Sequence, residues 1–555
     1  MTATQLPGAR GRWISGFFAF FGLFFAAMSI YGTWVNYTPV PYWDMWNGYL
    51  MAVFRMDAGE GWKVFWELHN EHRLVLAKAL FWVDVHVFDA SLVFLFTLNV
   101  LFALANFLVF AFIARKLVPE AYQRHVLLGL LAVLCFSWLQ QSNFTWAFQS
   151  QFFSAYLVPL LAFIVLTRAQ GAHGWWYFCL AALLGVLSSV TMANGVLALP
   201  LMAVLAALLR QGWLRVMVLA ALGGLTYGVY FHDFVYPPNH VSLSSALLQR
   251  PWDLISYVLV YLGGPWFFLV KGLPLTVPKV AGAALILGSA WFAWLAWRER
   301  SSSPWPWVLL TFLLYIGGTV VGTASGRLEY GAVQALTSRY LTPQLLAWCA
   351  LLLLAAHRYG ATMFSRRWVW LFVLVPLLLA KGQWDARRPH PQTFERMVTA
   401  LALQVGANDE EYFSRIYFFQ PVLKNVSATA KRRHISAFAH PLIEGAGQLL
   451  GKPLPDSPSA TCRGQIEQTV VLADGWQRVE GWLLDDGGEV PAQVLLLDEQ
   501  GQVAGYALSG KRRSDLRKVY GRDARYAGFV GYLKEGVVPV KIAGLQPACL
   551  LQPGS

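Results

Sequence analysis

Long runs with scarcely a charge recur along this chain, each close to the twenty or so residues that a helix needs to cross roughly 30 Å of hydrocarbon. They lie at 13–35, 91–114, 125–141, 151–167, 175–191, 196–210, 214–231, 277–297, 305–324, 341–356 and 368–380. Lipid offers the backbone no hydrogen-bond partners, so a spanning segment of this kind must pair its own amides as a helix. The expectation is a mainly α transmembrane bundle of about eleven spans. Composition agrees: 57% of the residues are hydrophobic and 13% charged, where a soluble domain carries about 25% charged residues.

The net charge of +13 would suggest nucleic acid in a soluble protein. Here the basic residues fall between the apolar runs. Arg115, Lys116, Arg124, Arg168, Arg210, Arg215, Arg298, Arg300, Arg358, Arg366 and Arg367 occupy alternate connections, which the positive-inside rule places in the cytoplasm. No nucleic-acid partner is expected. Arg10 and Arg12 precede the first run, which is too long for the core of a signal peptide. The N-terminus is therefore expected inside and the C-terminus outside. The apolar stretch 254–270 would reverse that count. Its Gly263-Gly264-Pro265 breaks a helix, so it is read as interfacial or re-entrant on the outer face.

Three regions follow: a membrane domain over 1–380 with a long first outer loop at 36–90, a helical linker over 381–459, and an all-β region over 460–555. The linker is amphipathic around Phe394, Met397, Leu401 and Leu403. In the last region, strand-like runs at 476–484, 490–497, 503–508 and 527–534 are separated by turn signals such as Asp485-Asp486-Gly487-Gly488. They predict a small β-sandwich, and with the linker an extracytoplasmic α+β region. Cys135, Cys179 and Cys349 sit in apolar runs, where thiols act as small hydrophobes. Cys462 and Cys549 bracket the β region and suit a disulfide on an oxidising side. With no Cys-x-x-Cys pair, no zinc or redox motif is expected.

The chemistry concentrates in the outer segments. The first loop reads Trp43-Asp44-Met45-Trp46-Asn47, then Trp62 to Trp66, then His69-Asn70-Glu71-His72-Arg73. Its tryptophans suit the membrane interface and equally suit stacking on sugar rings. Asp44 is the first acid in the chain and lies close to the outer end of the first span. An acid there marks function or favours a helix N-terminus. His69 and His72 are expected on one face at the start of a helix, without the spacing of a zinc motif and without an evident third ligand. A second cluster runs from Arg327 to Tyr330 and from Ser338 through Arg339 and Tyr340. Its arginines break the positive-inside trend; they suit phosphate oxygens or snorkelling to lipid headgroups. Tyr230 to Asp233, with His232, and Tyr236 to His240 add polar groups on the same face. Trp476, Trp482, Tyr506 and Tyr532 serve as the β core or as a saccharide surface.

This layout resembles the GT-C class of membrane glycosyltransferases, which use polyprenyl-phosphate-linked sugars. The likeness covers nearly the whole chain as architecture. Pro-Tyr-Trp-Asp at 41–44, His-Asn-Glu-His-Arg at 69–73 and Ser-Arg-Tyr at 338–340 look like motifs of bacterial members. The resemblance implies a bacterial inner-membrane enzyme with a periplasmic C-terminal region, moving a sugar from a polyprenyl-phosphate donor to a glycan, lipid or protein acceptor with inversion. It maps the first-loop acid onto Asp44, with Glu71 as rival because no acidic pair follows Asp44. Arg327, Arg339, Tyr340 and Arg73 would hold the donor phosphate, and Trp43, Trp46, Asn47, His69, His72 and His232 would line the substrate. No cofactor is required on this reading, and a divalent cation is neither demanded nor excluded. The competing classes are a lipid-linked saccharide flippase and another extracytoplasmic polymer ligase or transferase.

Overall fold

The computed structural model describes residues 9–551, apart from Ala172, 236–240, Lys271, Ser302, Arg366, 455–457 and Ser459. The chain is mostly helical. Among the described residues, nine helical stretches are long and apolar enough to cross a membrane: Gly11–Val35, Val93–Leu117, Ala121–Thr145, Ala147–Leu166, Trp213–Phe231, Thr276–Arg298, Pro304–Gly326, Ser338–Met363 and Val369–Val405. Gly174–Ser189 and Ala193–Leu208 are apolar but shorter. Each of the eleven apolar runs read from the sequence thus falls in a helix. Trp13, Leu23, Trp176 and Leu287 are exposed on these helices, a face that suits lipid rather than water.

Contacts divide the chain into two units: Met1–Val35, Glu60–Leu80 and Leu95–Arg388 in the first, and Asn36–Gly59, Phe81–Phe94 and Pro389–Ser555 in the second. Lipid tails are as apolar as leucine, so spanning helices hold together through close packing and internal polar bonds. The first unit uses both. Gly129 lies against the backbone of Phe18, where a Cβ would meet the Phe18 carbonyl oxygen at 2.4 Å. Gln383 donates to the Phe25 carbonyl and the Ser29 hydroxyl, each at 2.9 Å, while its Oε1 accepts the Trp138 amide at 2.7 Å.

Gly263-Gly264-Pro265 does not break its helix. Pro251–Phe267 is continuous, because Pro265 falls in its last turn and the glycines serve packing. A Cβ on Gly263 would meet the Pro278 carbonyl oxygen at 1.8 Å, and one on Gly282 that of Leu259 at 2.1 Å. The two helices therefore cross backbone to backbone.

In the second unit, Val75–Val87 contributes its C-terminal half; thirteen residues rise only about 20 Å, too short to span. Pro391–Val405 begins with proline in its first turn, capped by the His390 side chain, and stops at Gly406 in the left-handed region (φ +84°). It packs on the sheet and on neighbouring helices, with Val398, Leu401 and Ala402 buried.

The sheet is a single seven-stranded antiparallel one: β1 Cys462–Val471, β2 Trp476–Asp485, β3 Gln493–Leu497, β4 Val503–Lys511, β5 Gly528–Lys534, β6 Lys541–Leu545 and β7 Cys549–Leu551. The order is β1-β2-β5-β4-β3-β6-β7. The expected sandwich is thus replaced by one curled sheet. Its two outermost strands meet through the Cys462–Cys549 disulfide and a parallel bridge between Thr461 and Leu550. Val479, Leu483, Leu496, Phe529 and Leu533 fill its interior. Tyr506 and Tyr532 are fully buried, so they belong to the packing of this unit and not to a saccharide surface.

Candidate functional site

The polar groups of the first unit gather around residues 69–73. The helix expected to begin at His69 begins at Val75. Before it, His69 and His72 exchange backbone hydrogen bonds of 2.8 and 3.0 Å across a tight turn, with Asn70 in the left-handed region (φ +52°). Asparagine tolerates that conformation, and the turn lifts Glu71 to its tip. The two imidazoles are therefore hairpin partners, not neighbours on a helix face.

Glu71 Oε1 lies 2.5 Å from Arg327 Nη2 and 3.8 Å from His72 Nε2. His72 Nδ1 accepts the backbone N–H of Ala193 at 3.3 Å, which leaves its proton on Nε2, toward Glu71. Burial holds this imidazole below its ordinary pKa against the opposite pull of Glu71, and the charges of Arg327 and Arg339 add to the lowering. Burial thus favours the neutral imidazole. His69 lies with its ring 5.2 Å from that of Phe148.

Arg327 follows the last residue of Pro304–Gly326 and also hydrogen-bonds the Tyr340 phenol. Arg339 lies with its guanidinium 5.2 Å from the Tyr340 ring centre. Both arginines are within electrostatic reach of His72 and of the Tyr257 phenol. Among the described residues, two guanidiniums face one carboxylate here, which leaves the cluster net positive. Arg250, by contrast, is engaged by Asp253 at 2.8 Å and Glu329 at 3.0 Å.

A segment passed over in the sequence supports the arginines. Asn143 donates to the Arg339 carbonyl at 2.9 Å and to the Thr342 hydroxyl at 2.7 Å, and Thr342 donates to Gln140 Oε1 at 2.5 Å. Ser338 donates to the Leu139 carbonyl at 2.7 Å and accepts the Ser142 amide at 3.1 Å. The run Gln140-Gln141-Ser142-Asn143 between two apolar stretches was the available signal, since amides at that depth need partners.

Arg73 has a different part. Its Nε donates to the Tyr230 carbonyl at 2.8 Å, Nη1 to Trp66 at 2.6 Å and Nη2 to His232 at 2.6 Å, and it is 4% exposed. Three carbonyls occupy this guanidinium, so it pins the loop and is not offered to a phosphate. The His232 side chain is exposed, and Tyr236 to His240 lie outside the described residues.

Trp43, Asp44, Trp46 and Asn47 belong to the second unit. Trp43 adopts φ +49°, its amide donates to the Ile416 carbonyl at 2.9 Å, and its ring is 5.9 Å from Phe418. Half-buried Asp44 precedes a π-helical turn, Trp46–Met51. Burial and then the charge of Asp44 raise the pKa of Tyr417. Trp46 is interior, and Asn47 Oδ1 accepts the Gly48 amide at 2.8 Å. The same unit holds an acid that the sequence reading missed. Asp84 is fully buried and accepts the Tyr49 hydroxyl at 2.6 Å. Desolvation raises its pKa to about 6. Among the described residues, no group of three or more His, Cys, Asp and Glu comes together in a way that would hold a metal ion.

No protein-family model matches the chain, and no curated protein matches it significantly.

Proposed function

We propose that this protein is a membrane glycosyltransferase of GT-C type that takes a sugar from a polyprenyl-phosphate donor at the extracytoplasmic side. The observation that carries this reading is the Glu71–Arg327 pair with Arg339 beside it: a net positive cluster, reachable by solvent, that contains one carboxylate. Guanidiniums match phosphate oxygens in charge and geometry. The leaving group is already a stable anion, so the reaction asks for anion stabilisation and one base rather than the two carboxylates of a glycosidase.

Asp44 and Glu71 are the two candidate bases. Glu71 shares a unit with both arginines, and we assign the role to it. An incoming donor phosphate competes with Glu71 for Arg327, with His72 Nε2 3.8 Å from the carboxylate. The acceptor hydroxyl then attacks the anomeric carbon from the face opposite the phosphate and inverts it. The bond from that carbon to the phosphate oxygen breaks, its electron pair leaves with the carrier phosphate, and the hydroxyl proton passes to Glu71. Arg327, Arg339 and Tyr340 stabilise the charge on the departing phosphate. The disulfide and the cytoplasmic arginines of the sequence support an outward-facing C-terminal unit in a bacterial inner membrane.

The test uses purified full-length protein with radiolabelled polyprenyl-phosphate sugars and glycan, lipid or protein acceptors. Label on an acceptor with release of free carrier, lost in Arg327→Ala and Arg339→Ala, supports transfer. Movement of the intact donor across a vesicle without bond cleavage overturns it in favour of a flippase.

A further inference from the structure

Between β4 and β5 the chain reads Lys511-Arg512-Arg513-Ser514-Asp515-Leu516-Arg517-Lys518-Val519-Tyr520-Gly521-Arg522-Asp523-Ala524-Arg525-Tyr526, seven basic residues against two acidic. Some of that charge is spent inside the fold. Lys511 pairs with Glu480, and Arg513 binds Glu467 at 2.7 and 2.9 Å and Asp515 at 2.6 Å. Arg512, Arg517, Lys518 and Arg522 are exposed and have no acidic partner among the described residues. The connection is a fixed element. Leu516 is buried against Leu484, Ala524 and Ala527, and the Tyr520 ring lies 5.6 Å from that of Trp482. Between these cations in the sequence, Val519 is 73% exposed and Tyr520 40%.

We propose that this face docks on an acidic phospholipid surface. Phosphate headgroups satisfy the four cations, and the interfacial region beneath them takes the valine and the amphipathic tyrosine. A hydrated anionic polymer would satisfy the charges but leave Val519 in water. That apolar tip decides between the two. Each cation near an anionic leaflet brings about a fivefold gain in affinity, and the attraction falls off within a Debye length, so it is sensitive to salt.

The experiment is hydrogen exchange on the full-length protein in nanodiscs of phosphatidylglycerol or of phosphatidylcholine. We expect amides of residues 512–522 to exchange at least about threefold more slowly in the acidic discs, with the difference erased by 1 M salt. A variant carrying R512E, R517E, K518E and R522E should lose the protection while the β2 and β5 amides exchange as before. Val519→Asp should weaken it, and Arg432→Glu, elsewhere in the unit, should not. Equal exchange in the two discs overturns the proposal. So does protection by soluble dextran sulfate in phosphatidylcholine discs without protection by phosphatidylglycerol.

Discussion

Each unit of this protein holds an arginine paired with carboxylate, and the two arrangements differ in kind. In the second unit, Arg478 Nη1 lies 2.9 Å from both oxygens of Asp409, its Nη2 lies 2.7 Å from Glu411, and Tyr532 donates to Asp409 at 3.0 Å. The Arg478 and Asp409 side chains are 7% and 1% exposed. In the first unit, Arg327 meets Glu71 through one nitrogen and one oxygen, with the side chains 28% and 22% exposed. A buried pair bonded through both carboxylate oxygens is closed to a ligand, and breaking it strands a charge. A half-open, single-contact pair contributes little to stability and can exchange partners. The first kind suits a structural role, and the second suits the site proposed above.

Predictions that separate the pairs follow in order of size. Glu71→Gln should lower transfer by about 10²–10⁴-fold, the usual worth of a general base, while resistance to unfolding changes by less than about 1 kcal/mol. Near-normal turnover in that variant, together with loss in Asp44→Asn, would move the base to Asp44. Asp409→Ala should cost about 3–5 kcal/mol in the second unit, read from denaturant dependence of hydrogen exchange in β2 and β5. A cost below about 1 kcal/mol would erase the distinction.

Asp84 sharpens the contrast as an acid that has a phenol in place of an arginine. Its pKa of about 6 lies above the ordinary aspartate value, so the folded chain binds this proton more tightly than the unfolded one. Its contribution to stability is full at low pH and declines as pH rises from about 4 to 6, by up to about 3 kcal/mol. Asp84→Asn should flatten that decline and raise stability at pH 8, measured by unfolding across pH 4–8. An unchanged slope in the variant would count against this account.

Much of this was legible in the sequence. Apolar length alone located the eleven helical stretches, because lipid leaves the backbone no other solution. Four strands are readable from alternation and turn residues, and the flanking Cys462 and Cys549 suit the disulfide they form. What escaped depends on partners far along the chain. The helical continuity of Gly263-Gly264-Pro265 follows from the close approach of Pro278 and Leu259. The closing of the sheet depends on β1 meeting β7. The employment of Arg73 by carbonyls depends on where Tyr230 and His232 arrive. Glu71, His72, Arg327, Arg339 and Tyr340 do come together in one unit, though Asn70 makes the His69–His72 element a turn. Asp84 sits within an apolar helical pattern, Trp82-Val83-Asp84-Val85, and only its burial against Tyr49 distinguishes it.

The meeting of β1 and β7 has a consequence for how this protein tolerates crowding. An open sheet presents rows of unsatisfied amides and carbonyls at its ends, a template on which another copy can add strands. Here Leu550 N donates to the Ala460 carbonyl at 2.9 Å, and a covalent clasp lies beside that contact. Confined to two dimensions at high local density, molecules with this seam opened would adhere to one another before they lost their shape. On that account, opening the Cys462–Cys549 bond should favour strand addition between copies.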